Sequence, residues 1–342
     1  MRRHKNLVPA VLFETASEKN KNLKIEVEKT QMKKLIIICA VVTILAISGA
    51  AQADMFGTGS NQFTIDFVPI SGSTNPTSGY GIVNNDYRMG TYEITNGQWN
   101  KFAASLGVSV TGSPSNAYDQ SPTFTGTNQP TNRVSWYEAA QFVNWLNTST
   151  GHQAAYKFTG TQGTSDYTLA LWSAEEAAGW DLYRHKDAFY YLPSEDEWAK
   201  AAYWSGTAYQ TYANASAGDL VDGKPDPAKW NYNLSGKTAP WDVGSGGTAE
   251  LNGTYDMMGN IAEWLESSYL PPYHSTDYMR TVRGGAYPLD YTYLPSSTWG
   301  RVGSAPSSEY GWIGFRVASE VPEPATMVLL GLGALGLIRR KR

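Results

Sequence analysis

Residues 255–264 read YDMMGNIAEW: a carboxylate at Asp256, a Gly259-Asn260 turn and a second carboxylate at Glu263, with an aromatic residue at each end. Two readings of these residues compete. In one, Asp256 caps the turn, Gly259-Asn260 supplies a positive φ, and Glu263 lies in the first turn of a helix IAEWLES, where a carboxylate suits the helix dipole. In the other the turn is a metal site. Calcium takes about six to eight hard oxygen ligands and accepts main-chain carbonyls readily, so a glycine-rich turn between two carboxylates supplies much of one shell. Spacing alone favours the self-capped turn.

Upstream of this stretch, three helix starts carry a capping box, in which a Ser or Thr caps the first turn and a Glu or Gln three residues on reaches back. They are Thr95 with Gln98, Ser135 with Glu138, and Ser194 with Glu197. After Ser135, the residues Ala139, Phe142, Val143 and Leu146 recur at helical spacing. From about residue 205 the composition shifts to Gly, Ser, Thr, Asn, Pro, Tyr and Trp, with short strand-like pieces such as TVRGG (281–285) and GFRVA (314–318). No repeat period and no doubly wound alternation is present, so the expected class is a loop-rich α+β domain. The chain's 12 Trp and 22 Tyr supply apolar area with polar tips that tie irregular backbone together.

The two ends read as addresses. Residues 32–53, MKKLIIICAVVTILAISGAAQA, combine a basic start, an apolar run too short to span a bilayer and a small-x-small cleavage motif at Ala51-Gln52-Ala53, the pattern of a secretory signal peptide. Residues 1–31 are polar, highly charged and unlike a leader, so translation is expected to start at Met32, with 1–31 a non-native extension. Residues 321–342, VPEPATMVLLGLGALGLIRRKR, place a Pro-Glu-Pro tripeptide before a short apolar run and a basic tail. They resemble the PEP-type C-terminal sorting signal of exported bacterial proteins, which implies recognition and cutting by exosortase-type machinery. Membrane association is expected only through that segment, before processing. The expected location is exported: periplasm, outer surface or extracellular matrix of a bacterium.

Between the two addresses, Asp54 to Val321 holds 14 Lys+Arg and 26 Asp+Glu, a net charge of −12 against −4 for the whole chain. An acidic surface of this size repels nucleic acid and suits cation binding and solubility outside the cytoplasm. The sole cysteine, Cys39, lies inside the leader. The mature domain, residues 54–320, is therefore expected to have no disulfide, thiolate metal site or cysteine nucleophile.

Six blocks in order resemble the formylglycine-generating enzyme family, also called the sulfatase-modifying factor family: YEITNGQWNKF, NRVSWYEAAQFVNWLN, YLPSEDEWAKAAY, GTYDMMGNIAEW, VRGGAY and GFRVA. They span roughly residues 85–319. The resemblance implies a variant of the C-type lectin fold, with short helices, twisted antiparallel strands and much irregular backbone. It also implies calcium at the opening stretch, with side-chain oxygens from Asp256 and Glu263 and carbonyls from Gly259 and Ile261. A second family calcium site matches Asn231 and Tyr232, although the Asp-Gly-Phe segment that completes it in the family is absent here.

Departures from the pattern bear on activity. Family members that convert a target cysteine to formylglycine bind copper through two cysteines soon after GGS(Y/W). Here the motif is GGAYPLDYTYL: Ala286 replaces the serine, and Leu289 and Leu294 stand where the cysteines would be. Leucine ligates nothing and Cu(I) wants soft sulfur ligands, so no copper is expected and the domain is read as a pseudoenzyme. Tyr191 also replaces the arginine that begins the third block. The histidines expected after processing, His152, His185 and His274, lack metal-ligand spacing. Other acidic groups read as structural: the helix N-terminus accounts for Glu195-Asp196-Glu197, and Glu175, Glu176, Asp219, Asp222 and Asp226 as solvated loop charge. The expected function is a calcium-stabilised binding or structural module directed at an extracellular glycan or an envelope protein. The alternatives are different chemistry near Tyr287 and Arg316, or a partner or modifier of secreted sulfatases.

Overall fold

In chain order the elements are β1 (Gln52–Phe56), β2 (Phe63–Ile70), β3 (Tyr87–Gly90), α1 (Asn96–Leu106), α2 (Trp136–Ser149), β4 (Lys157–Thr159), β5 (Thr168–Ala170), β6 (Ala177–Ala178), β7 (Asp181–His185), β8 (Tyr190–Tyr191), α3 (Glu195–Tyr203), β9 (Leu220–Val221), β10 (Lys224–Pro225), β11 (Ala262–Ser268), β12 (Arg280–Arg283), β13 (Arg301–Ser304), β14 (Ile313–Gly314) and β15 (Ala318–Glu320). The computed structural model describes residues 52–179, 181–214, 220–233, 238–270, 278–296 and 300–322. Most of the expected leader with Cys39, the apolar run and basic tail of the sorting signal, Asp219 and His274 lie outside the described residues.

Two sheets organise the domain: a five-stranded sheet in the order β1-β2-β3-β15-β8 and a four-stranded sheet in the order β13-β12-β11-β14, with three two-stranded ribbons beside them. All pairings in the larger sheet are antiparallel. In the smaller sheet β11 runs antiparallel to β12 and parallel to β14. Strand β2 shows why a half-buried strand forms: Phe63, Ile65 and Phe67 face the core while Thr64 and Asp66 face solvent. β1 begins at Gln52, with Gln52 opposite Phe67 and Ala53 opposite Asp66. Leader cleavage after Ala53 would therefore leave Asp54–Phe56 of that strand.

All three expected helices form, each with both arms of its capping box made. α2 carries the largest buried face: Ala139, Ala140, Phe142, Val143 and Leu146 are fully buried. Its Asn147 accepts from the backbone N–H groups of Phe189 and Tyr190 and donates to the Tyr190 carbonyl, joining the helix to β8. Aromatic tips fasten irregular backbone, as the composition suggests. Trp136 Nε1 donates to the Leu265 carbonyl at 3.0 Å, Trp264 Nε1 to that of Val134 at 2.8 Å and the Tyr203 hydroxyl to that of Leu294 at 2.7 Å.

Two local expectations are corrected. IAEWLES is strand β11, not a helix, because Ala262–Ser268 lies between β12 and β14 and its first five residues are buried on both faces. GFRVA is not one strand: Gly314 ends β14, Ala318 opens β15, and Phe315–Val317 pass from one sheet to the other.

Candidate functional site

The turn at the opening stretch is held by backbone geometry that few residues tolerate. Asp256 and Asn260 have φ of 59° and 53°, and Gly259 has 79°. A Cβ on Gly259 would lie 2.4 Å from the Asn231 carbonyl oxygen, so only glycine fits there. The Asn260 N–H donates to that same carbonyl at 2.7 Å, and Asn231 Nδ2 donates to Asn260 Oδ1 at 3.3 Å. Asn231, assigned from the sequence to a second calcium site, thus packs on the turn of the first. Tyr232 is buried beside it and its hydroxyl donates to the Pro225 carbonyl.

Four carboxylates surround this turn and one guanidinium answers them. Glu263, in β11, takes Arg316 in a two-pronged pair, Nη2 to Oε1 at 2.6 Å and Nε to Oε2 at 2.7 Å, and accepts from Trp198 Nε1 at 2.8 Å. Arg316 also donates to the carbonyls of Gly90, Thr91 and Tyr255, and is fully buried. Asp256 accepts from the Gly244 N–H at 2.6 Å, and burial pushes its carboxyl up to about 6 despite that bond and the nearby Arg316. Burial likewise pushes Glu250 up to about 8, although it accepts from Trp230 Nε1 and from the N–H groups of Met257 and Met258. Glu93, reaching in from the segment before α1, accepts from Asn260 Nδ2 at 3.1 Å. Its Oε2 meets no N–H or hydroxyl donor, and the carboxyl lies within hydrogen-bond reach of Asp256. Burial and the adjoining Asp256 carboxyl hold Glu93 well above the usual carboxylate range.

Among the described residues no three Asp, Glu, His or Cys side chains come together in a way that could hold a metal ion. A calcium ion would therefore draw much of its shell from backbone carbonyls. The donors still suit a hard cation: all are oxygens, Asp256 and Glu93 lack a positive partner of their own, and the residual charge is negative. Of the two expected side-chain ligands, Asp256 is the under-neutralised one and Glu263 is already matched by Arg316.

A second acidic region opens to solvent. A cleft of about 520 Å³ lies between the Tyr80–Asn85 loop, the start of α3, β7, the end of β11 and β13. The run Glu195-Asp196-Glu197 lines it, and its charges are not explained by the helix N-terminus alone. Glu195 takes Arg283 Nη2 and Arg301 Nε, both at 2.7 Å. Glu197 makes its capping contact with the Ser194 N–H at 2.7 Å and meets Arg184 at 3.3 Å. Arg184 also reaches Glu266 at 3.4 Å and lies 3.9 Å from the centre of the Tyr191 ring. A guanidinium from β7 thus covers the position where the family pattern has arginine.

At the expected cysteine positions the structure is packed. Leu294 is fully buried, half-buried Leu289 packs on the core, and a Cβ on Gly285 would come within 2.7 Å of Leu294 Cδ2. Ala286 is fully buried. Arg316 is fully buried and paired with Glu263, and Tyr287 packs edge-on against Phe124. His152 stacks on Phe189 and His185 meets the Trp172 ring edge-on. Sequence reading missed Glu93, Glu250, Glu266 and Arg184. Only Glu93 stood in a recognisable block, YEITN, while the others are joined by contacts between distant segments.

Residues 50–321 match the family described as the sulfatase-modifying factor enzyme 1-like domain, and residues 320–342 match the PEP-CTERM protein-sorting motif. The chaperone protein LppX of Paenibacillus barcinonensis is 25% identical over 277 residues, 75% of this chain and 89% of that protein. Among solved structures, Treponema denticola variable protein 1 superposes with a TM-score of 0.54 at 20% identity, over 79% of this chain and 99% of that one. PvdO from Pseudomonas aeruginosa does so with 0.51 at 18%, over 80% and 100%. These likenesses establish the fold. The chain belongs to the sulfatase-modifying factor family, and its sorting motif marks a protein exported to the bacterial cell envelope or surface and handled by exosortase-type machinery.

Proposed function

We propose that this exported family member is a binding module without formylglycine-generating activity, stabilised by calcium at the Asp256 turn. One observation carries the first half: Leu289 and Leu294 occupy the positions of the family's copper-binding cysteines, with Leu294 sealed in the core. The chain's single cysteine, Cys39, cannot supply a pair of thiolates. If purified mature domain, loaded with copper under oxygen, converts the cysteine of a Cys-x-Pro-x-Arg peptide to formylglycine by mass spectrometry, the pseudoenzyme reading is wrong.

For calcium, the carboxylates of Asp256 and Glu263 and the carbonyls of Gly259 and Ile261 would hold the ion, with Asn231 and Tyr232 packed alongside. Bound there, calcium supplies the positive charge that Arg316 alone does not. The role of this chain's own residues is to fix a left-handed turn and keep water out, not to react. The test is thermal melting of the mature domain in calcium and in chelator, with Asp256→Ala and Glu263→Ala. Glu263→Ala also frees Arg316, so Asp256→Ala is the cleaner variant. An unchanged Tm for the wild type between calcium and chelator removes the metal from this reading.

A second reading, a partner of secreted sulfatases, draws support from the chaperone designation of LppX. Co-purification of a sulfatase with the tagged mature domain from an envelope extract, absent with an unrelated tagged protein, would favour it.

A further inference from the structure

We propose that the cleft beside α3 is where this module binds, and that its ligand is an uncharged polyhydroxylated molecule, a neutral glycan. This rests on the binding-module reading above and adds the site and ligand class.

Each charged group lining the cleft already has a partner. Glu195 is held by Arg283 and Arg301, and Glu197 and Glu266 by Arg184. Glu266 additionally accepts from the Tyr156 hydroxyl at 2.9 Å. Asp196 is engaged in holding the opposite wall, accepting from the Gly81 N–H at 2.8 Å. A cationic ligand would find only Asp196 without a guanidinium, already bonded into the wall, and would have to displace arginines from the other three carboxylates; an anionic one would have to compete with carboxylates for the arginines. Either exchange carries a desolvation cost with little Coulombic gain. A hydroxyl faces no such exchange, because it donates to a carboxylate and accepts from a guanidinium at once, and so inserts between paired groups.

Arg184 is the group best placed to do this. Its side chain is 17% exposed, and its contacts of 3.3 to 3.4 Å to Glu197 and Glu266 are longer than the usual charge-assisted range, leaving donor capacity toward the cleft. Neutral polar groups extend the array: Asn84, Asn85, Ser267 and Ser268 line the same space. Tyr80 and Ile82, the latter 44% exposed, add apolar surface of the kind that covers the C–H face of a sugar ring. The volume lies within the usual range for small-ligand sites. The walls are rigid: Lys200 Nζ donates to the Val83 carbonyl at 2.7 Å and to Asn75 Oδ1 at 2.8 Å, fixing the loop from beneath. A ligand would therefore meet a preformed surface, with little loop ordering to offset.

The experiment uses labelled mature domain on a glycan array carrying neutral, amino-bearing, carboxylated and sulfated glycans, followed by calorimetry with the glycans that bind. Binding confined to neutral glycans is expected, nearly constant between low and high salt because no net charge is neutralised. Ile82→Ser and Tyr80→Ala should each weaken it about tenfold, Ile82→Ser without changing Tm in the absence of glycan, and Tyr80→Ala with some loss of Tm because its ring packs on the core and under Arg283. No binding across the array, or binding only to charged glycans, overturns the ligand class. Neutral-glycan binding that survives both variants overturns the site while leaving the module reading intact. Release of shorter products from a bound neutral glycan keeps site and ligand class and overturns the module reading instead.

Discussion

The cleft and the buried turn each gather four carboxylates, but the cleft sets three arginines against them and the turn only one. In the cleft Glu195, Asp196, Glu197 and Glu266 meet Arg184, Arg283 and Arg301. In the turn Glu93, Glu250, Asp256 and Glu263 share Arg316. The cleft opens to solvent, but Glu195, Glu197 and Glu266 in its wall are themselves buried, and their charge is nearly matched. The turn, whose carboxylates are buried to a similar depth, is not. A matched array persists with its carboxylates ionised, whereas an unmatched buried one needs a proton or a metal to persist.

That contrast can be broken at its strongest point. Arg316→Met should destabilise the domain by about 3–5 kcal/mol, because it leaves Glu263 and its neighbours uncompensated in the interior. Urea denaturation measures it, and a loss near zero would mean these carboxyls are held protonated throughout.

A pH series sharpens the contrast next. The folded-state values of Asp256 and Glu250, about 6 and about 8, lie above their ordinary values of 3.8 and 4.5. The fold thus favours the protonated forms, a contribution fully present at low pH and lost as pH rises through about 6 and then about 8. In chelator, stability should fall by on the order of 1.4 kcal/mol per pH unit between about 4 and about 6 for Asp256 and between about 4.5 and about 8 for Glu250. A flat profile would contradict the imbalance. Calcium should remove part of this slope and stabilise by about 2.7 kcal/mol at a hundredfold excess over Kd, an effect that Asp256→Asn should diminish. The smallest effect belongs to the cleft, where Ile82→Ser should change stability by no more than about 0.5 kcal/mol.

What could be read from the sequence followed how local each feature is. Thr95, Ser135 and Ser194 announce their helices because a capping box is complete within four residues. The strand β11 was misread because its burial on both faces removes the alternation that would reveal it, and its neighbours arrive from the segments around residues 280 and 313. The same holds for the sites. Asp256 and Glu263 stand out within ten residues, but the Arg316 that neutralises Glu263 comes from 53 residues downstream. Glu195 and Glu197 passed for ordinary helix-start acids, since Arg184, Arg283 and Arg301 come from three separate strands. Charge balance is a property of tertiary contacts, so its sign in each region could not be read in advance.

The placement of β15 has a mechanical consequence. This last strand lies inside the larger sheet, hydrogen-bonded on one side to β3 and on the other to β8, and the sorting motif begins at its final residue, Glu320. Tension applied through a carboxyl-terminal tether would enter the sheet at Glu320. It would be carried by the pairings of Ala318–Glu320 with β3 on one side and of Ala318 and Ser319 with β8 on the other. The strand nearest the sorting motif is thus a central one, so a pull on that end would meet a strand bonded on both sides and not a free edge.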